Sequence, residues 1–430
     1  MTEAWQSCTV RDLIESGEAK VKTGPFGTQL RASDYVAVGT PVINVRNVGF
    51  GEIRPEKLEY IAEKTVARLS THLLEPGDIV FGRKGAVERH AFIQEQQSRW
   101  FQGSDCIRLR LTSNRILPRF VSYKFLTEAH KQWMLSQGSH GATMASLKQD
   151  IIGRIPLAFP PLEVQHRIVE VLSAHDDLIE NNARRMAILE EMARAIYREW
   201  FVDFRFPGHD QVEMVESELG PVPAGWEVRR IGDVVETLGG GTPSTKVPEY
   251  WEGGDITWFS PTDLTGTGAM FISDSDKKIT AVGLQKSSAK LFPPYSVMMT
   301  SRATIGVIAI NTRVTSTNQG FITCVPNKRL TVYQIYFWIA DTKEKIISLA
   351  SGATFKEINK ATFRDLPVLV ADGRVTQRFA DTVGPIGKQI DTLLSKNHIL
   401  RITRDLLLPK LISGEVDVSA MDETLPEAAA

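Results

Sequence analysis

Two stretches of this chain place an apolar residue every 3.5 positions. In the first, Ile168, Leu172, His175, Ile179, Asn182, Met186, Leu189, Ala193, Ile196 and Trp200 alternate spacings of four and three without a break. In the second, Phe379, Val383, Ile386, Ile390, Leu393, Asn397, Leu400, Arg404, Leu407 and Leu411 do the same. A repeat held this long makes a narrow apolar seam on a helix, and such seams pair. About 40 residues at 1.5 Å each reach roughly 60 Å, longer than a compact domain needs. The pattern therefore predicts two long helices that pack on each other. The polar seam residues, His175 and Asn182 on one helix and Asn397 and Arg404 on the other, are expected in different layers. There they cost stability and fix register.

Elsewhere the apolar period shortens. TPVINV (40–45), DIVFG (78–82), CIRLRL (106–111), SVMMTS (296–301) and GFITCV (320–325) are short, partly alternating runs bounded by turn residues, which predicts strands. Two stretches, RFVSYKFLTEAHKQWMLSQ (119–137) and VYQIYFWIADTKEKIISLA (332–350), each read as one helical piece. These elements occur in the same order twice. Trp5 corresponds to Trp226, Arg83 to Arg302, the GAT of SHGAT (139–143) to that of SGAT (351–354), and Pro156 to Pro367. So long a period excludes a solenoid and indicates a duplicated domain. The expected fold is α+β: two mixed lobes, each followed by a long helix. The boundaries are lobe 1 over 1–157, first helix 158–206, linker 207–225, lobe 2 over 226–367, second helix 368–417, and a flexible tail 418–430.

Composition changes little in this picture. Of 430 residues, 42% are hydrophobic and 23% charged, as in an ordinary globular protein. Three scattered cysteines, Cys8, Cys106 and Cys324, fit neither a disulfide framework nor a zinc site. With no signal-peptide pattern and no apolar run long enough to span a bilayer, the expected location is the cytoplasm. Charge is more telling in its distribution than in its net value of −1. Lobe 1 carries 21 Lys and Arg against 16 Asp and Glu, and residues 158–220 carry 6 against 13. Residues 221–367 carry 16 against 13, and 368–430 carry 7 against 9. A polyanion would meet the two basic lobes.

No catalytic signature accompanies the repeat. GxxxxGK[ST], HExxH, CxxC and GxSxG are absent from the sequence. LFPPYSV (291–297) approaches the loop by which amino-methyltransferases hold a flipped base, but Phe292 stands where a hydrogen-bond acceptor is needed. What remains is a set of polar loops at matching places in the two lobes. Lobe 1 offers Asn44, Arg46, Asn47, Arg83, Lys84, Arg89 and His90. Lobe 2 offers Ser301, Arg302, Thr304, Thr315, Thr317, Asn318 and Gln319. Arg reads guanine and Asn or Gln adenine in the major groove, while Ser, Thr and Lys commonly hold phosphate. Three readings stay open on these residues: a non-catalytic DNA-binding subunit, a self-contained DNA-modifying enzyme, and a coiled-coil scaffold with no DNA role.

The segments IPLAFPPLEVQHRIVEVLSAHDDLIENNARRMAILEEMARAIYREWFVDFRF (155–206) and ESELGPVPAGWEVRRIGDV (216–234) closely resemble the DNA specificity subunits of type I restriction-modification systems, and LLLPKLISGEVDV (406–418) does so more weakly. The resemblance implies two target-recognition domains, each reading one half of a bipartite site in double-stranded DNA. It implies that the two helices form an antiparallel coiled coil that sets the spacing of the half-sites, and that the chain is not itself an enzyme. Two methyltransferase (modification) subunits would dock on it, and a restriction subunit would join them. S-adenosylmethionine, ATP and Mg²⁺ would belong to those partners, none being bound directly. The outer face of the first helix, with Glu190, Arg194 and Arg198, is the expected docking face for a methyltransferase subunit. The second helix lacks the Pro-Pro entry and the Gln-rich start of the first, so unequal docking is expected.

Overall fold

In a computed structural model, residues 5–138, 146–352 and 356–418 are described. The seam sequences form helices over Leu162–Phe201 and Gly373–Ser413. Along both, the seam positions are buried or half-buried. The chain divides into two units, 1–178 with 400–430 and 179–399, so each unit takes one lobe and part of each long helix.

In the first unit, strands Ala19–Thr23, Cys106–Leu111, Ile79–Gly82 and His90–Phe92 make an antiparallel sheet in that order. Alternation explains its central strand: Ile107, Leu109 and Leu111 enter the core, while the intervening arginines turn to the other face. There Arg108 donates to the Leu73 carbonyl at 2.8 Å and Arg110 to Asp78 at 2.6 and 2.7 Å. A side sheet orders Tyr35–Val36, Glu59–Ile61, Thr40–Ile43 and Phe101–Gln102, its last pair parallel. Strand Gln6–Thr9 pairs with Pro156–Phe159, setting Thr9 opposite Pro156. The core holds Leu13, Phe81, Phe120, Tyr123 and Phe125 together with Ile168, Leu172, Leu408 and Leu411 of the two long helices. Asp176 ties the three parts: it accepts from Tyr123 Oη at 2.7 Å, Arg119 at 3.0 Å and Arg404 at 2.7 Å.

The second unit repeats the plan. Its main sheet orders Glu236–Gly239, Phe321–Val325, Val297–Thr300, Ile308–Asn311 and Phe271–Ile272. A side sheet orders Lys278–Ile279, Ile256–Phe259 and Ser316–Thr317, again with a parallel last pair. Strand Glu227–Arg230 pairs with Pro367–Val370, and Arg230 faces Pro367 as Thr9 faces Pro156. The long helices contribute Tyr197, Phe201, Phe379, Val383 and Ile390 to this core, with Phe201 edge-on to Phe379 at 4.9 Å.

Within each unit the helix segments run antiparallel: Asp176 meets Arg404, and Asn182 meets Asn397. This corrects the layer assignment. Asn182 donates to Asn397 Oδ1 at 2.8 Å, and Asn397 donates to the Ile179 carbonyl at 3.0 Å, so the two asparagines share one layer. The Arg404 side chain is likewise met by Asp176 rather than left alone. His175 Nδ1 lies 2.8 Å from the Val171 carbonyl of its own helix.

Other readings are also revised. RFVSYKFLTEAHKQWMLSQ makes two helices, Pro118–Leu126 and Glu128–Gly138, because Thr127 is extended and its hydroxyl donates to the Lys124 carbonyl at 2.7 Å. The linker holds a strand pair, Met214–Val215 with Val222–Pro223. Val418, assigned to the flexible tail, is buried and accepts from Arg167 at 3.2 Å. Glu190 is not on an outer face: it is half-buried, accepts the Met270 amide at 3.3 Å, and burial raises its pKa. Arg194, 3.8 Å from Asp341, and Arg198 are both exposed. The GAT repeats, 141–143 and 353–354 with Gly352 before them, fall largely outside the described residues.

Candidate nucleic-acid interface

In each lobe the loops leaving one end of the two sheets are laced together by backbone hydrogen bonds. In lobe 1, Gly103 N donates to the Ile43 carbonyl at 2.9 Å, Arg83 N to Asp105 at 2.8 Å, and Gly24 N to Cys106 at 2.9 Å. A Cβ on Gly24 would run into the carbonyl oxygen of Gly103, so this crossing needs glycine. In lobe 2, Asn318 N donates to Phe259 at 2.9 Å, Ser301 N to Gly320 at 2.7 Å, and Gly241 N to Thr317 at 2.9 Å. The duplicated chain thus brings the segments 44–47, 83–89 and 103–105 together in one lobe, and 241–242, 301–304 and 318–320 in the other.

Side chains within these clusters divide sharply. Asn47 is fully buried: its Oδ1 accepts Asn44 N at 3.1 Å, and its amide donates to the Arg54 and Glu56 carbonyls at 2.9 and 3.1 Å. Buried and tied to its own turn, it presents no group to a base. Asn44 donates to Glu59 at 2.6 Å, and Arg46, half-exposed, pairs with the same carboxylate at 2.9 Å. Ser301, Thr315 and Thr317 are buried in or beside strands and face no solvent. These four, Asn47, Ser301, Thr315 and Thr317, are closed to solvent. His90 is also buried, 2.9 Å from Ser122 Oγ, and burial pushes its pKa down to about 3.

The remaining candidates are reachable. Lys84 is exposed and lies 3.4 Å from Asp105; Arg302 is exposed and pairs with Glu357 at 2.7 Å. Thr304 and Gln319 are exposed, and Gln319 accepts from Thr242 Oγ1 at 2.5 Å. Asn318 is half-buried and spends its Oδ1 on Gly320 N at 2.8 Å. Arg83 and Arg89 are half-buried and lie over aromatic rings, Phe26 at 5.5 Å and Phe50 at 5.3 Å. Lys131 covers the same Phe50 ring at 5.0 Å. Residue-type reasoning passes over Phe26, Phe50 and Lys131 because it looks for polar loops. The signal available was an aromatic residue between glycines, GPFG (24–27). Among the described residues no group of His, Cys, Asp and Glu could hold a metal ion, and no helix is long and apolar enough to cross a membrane.

The profile of the type I restriction modification DNA specificity domain matches residues 2–191 and 223–394, one copy per lobe. The chain belongs to this family. Among its relatives, the type I restriction enzyme MjaIX specificity subunit of Methanocaldococcus jannaschii is 33% identical over 204 residues. That match covers 47% of this chain and 46% of the relative, so it spans about half the length of that protein. The HindI specificity subunit of Haemophilus influenzae is 22% identical over 403 residues, covering 80% of this chain and 87% of that one. The crystal structure of a type I S subunit from M. genitalium superposes with a TM-score of 0.58 at 14% identity, over 95% of this chain and 96% of that one. At that identity the likeness concerns the fold: an α+β specificity-subunit architecture with two lobes and long helices.

Proposed function

We propose that this chain is the non-catalytic DNA specificity subunit of a type I restriction-modification complex, each lobe reading one half of a bipartite site in the major groove. The observation that carries the reading is the duplication itself. Two lobes of one family domain present cationic and amide side chains, Arg83, Lys84, Arg89, Arg302 and Gln319, from matching loop clusters. Arg and Gln there suit base edges, and Lys and Thr suit phosphate. The paired helices set the spacing between half-sites and dock two modification subunits, with a restriction subunit completing the complex. S-adenosylmethionine, ATP and Mg²⁺ act on those partners. Apolar side chains exposed on the helices, Ile188 and Met192 on the first and Ile402 and Leu406 on the second, supply docking surface of the kind a partner covers.

The test is to co-express the chain with type I modification subunits in a host lacking methylation and to map methylated adenines. A split motif that appears only with this chain present supports the reading. Methyl transfer by the purified chain alone, or a motif indifferent to the chain, refutes it.

A further inference from the structure

One connection in lobe 1, residues 83–89, lays an arginine on each of two exposed phenylalanines. At its start the Arg83 guanidinium lies over Phe26, and at its end Arg89 lies over Phe50, which Lys131 also covers. Phe26 is 60% exposed and Phe50 38%. Neither ring is a loose surface residue. The Phe26 loop is anchored by the glycine crossing at Gly24 and closed by Gln29 N on the Phe26 carbonyl at 2.8 Å. Phe50 follows the Asn47-pinned turn, and Gly51 N donates to the His90 carbonyl at 2.9 Å. Among the described residues none of Arg83, Arg89 and Lys131 has a carboxylate partner, whereas neighbouring Lys84 has Asp105. The Arg89 Nε is buried without a partner.

Unneutralised cations resting on partly exposed aromatic rings can supply what an unstacked nucleic-acid strand needs: charge for the backbone and, once a cation swings from the ring to a phosphate, a π-surface for a displaced base. Lobe 2 is built differently. Its Arg302 is neutralised by Glu357, and Trp251, under Lys277, is locked edge-on to Trp258 at 5.1 Å and donates to the Ser244 carbonyl at 3.1 Å. We propose that Phe26 and Phe50 are stacking platforms for bases displaced from the duplex, so that lobe 1 engages DNA with at least one base step opened. This deepens the DNA-reading function and rests on it. The platforms take any base, since every base has a π-face, and they add affinity for distorted DNA without specifying sequence.

The experiment titrates the full chain with three labelled mixed-sequence probes: an intact duplex, the same duplex with one mispaired step, and its single strand. The wild-type chain is expected to bind the two opened probes about tenfold more tightly than the duplex. Phe26→Ala and Phe50→Ala, at exposed positions, are expected to lose more affinity for the two opened probes than for the intact duplex, and with it the preference. Phe26→Trp keeps it. Arg83→Gln weakens all three probes together and lowers the salt dependence, separating charge from stacking. A wild-type chain with no preference, or alanine variants that retain it, overturns the platforms while leaving DNA reading intact. A chain that binds none of the probes overturns the DNA reading beneath them.

Discussion

Asn182 and Asn397 place an amide pair in a mostly apolar seam, where Asn182 donates to the Asn397 side-chain oxygen. Replacing Asn182 alone by Leu strands the Asn397 carbonyl oxygen in the seam and is expected to cost about 1–3 kcal/mol. Replacing both by Leu removes the stranded group and is expected to restore stability to about the wild-type level or above, at the expense of register. Urea unfolding of the two single variants and the double variant measures this, and equal losses in all three would contradict the pairing. A second residue-scale prediction concerns His130. Its ring stacks on Phe125 at 4.2 Å, its Nε2 is buried without a partner, and burial pushes its pKa down to about 3. A group whose folded pKa is depressed keeps the fold stable above the unfolded value, near 6.5, and loses that contribution as pH falls toward 3. His130→Phe is therefore expected to flatten the loss of stability between about pH 6 and pH 4, by up to about 1.4 kcal/mol per pH unit. Unfolding curves across that range check it. Such roles were not legible in the sequence. Asn47 and Arg46 look alike as polar loop residues, and only folding reveals that Asn47 spends every hydrogen bond on its own turn.

At the scale of elements, the long helices were readable because a 3.5-residue period is local and needs no knowledge of the partner. The strands were readable where alternation was strong, as at Cys106–Leu111. The break at Thr127 was not, because nothing in the apolar pattern marks an extended residue stabilised by a hydroxyl-to-carbonyl bond. The same limit misplaced Glu190: the helix period says which residues leave the seam, but not that lobe residue Met270 then covers one of them. This moves the docking prediction to the residues that stay uncovered. Ile188→Glu with Met192→Glu is expected to abolish co-purification with a modification subunit, and to change stability by less than about 0.5 kcal/mol. Glu190→Gln removes a half-buried carboxylate and is expected to leave co-purification unchanged. Pull-down of the co-expressed subunits decides between these faces, and retained binding in the double variant would exclude the one proposed here.

For the whole molecule, the duplication was written in the chain, but the way each lobe takes its core was not. The linear boundary at 157 separates lobe 1 from residues it packs on: Ile168, Leu172, Leu408 and Leu411 share a core with Phe81 and Phe120. The polar tie at Asp176 joins Tyr123 and Arg119 of the lobe to Arg404 of the second helix. Modularity in DNA reading therefore requires the incoming lobe to present the same inner surface. A chimera that replaces 1–157 by another family lobe retaining a tyrosine at 123 and an arginine at 119 is expected to fold and to change one half of the methylated motif. The same exchange with a lobe lacking both leaves Asp176 with Arg404 alone and a mismatched core, and is expected to lower stability by about 2–5 kcal/mol. Mapping methylated adenines for the first chimera reads out modularity directly. One altered half beside one unchanged half fits two independent readers. A motif altered in both halves by a lobe that keeps the Asp176 contacts would mean that the halves are read jointly, and the division of labour between the two lobes would have to be abandoned.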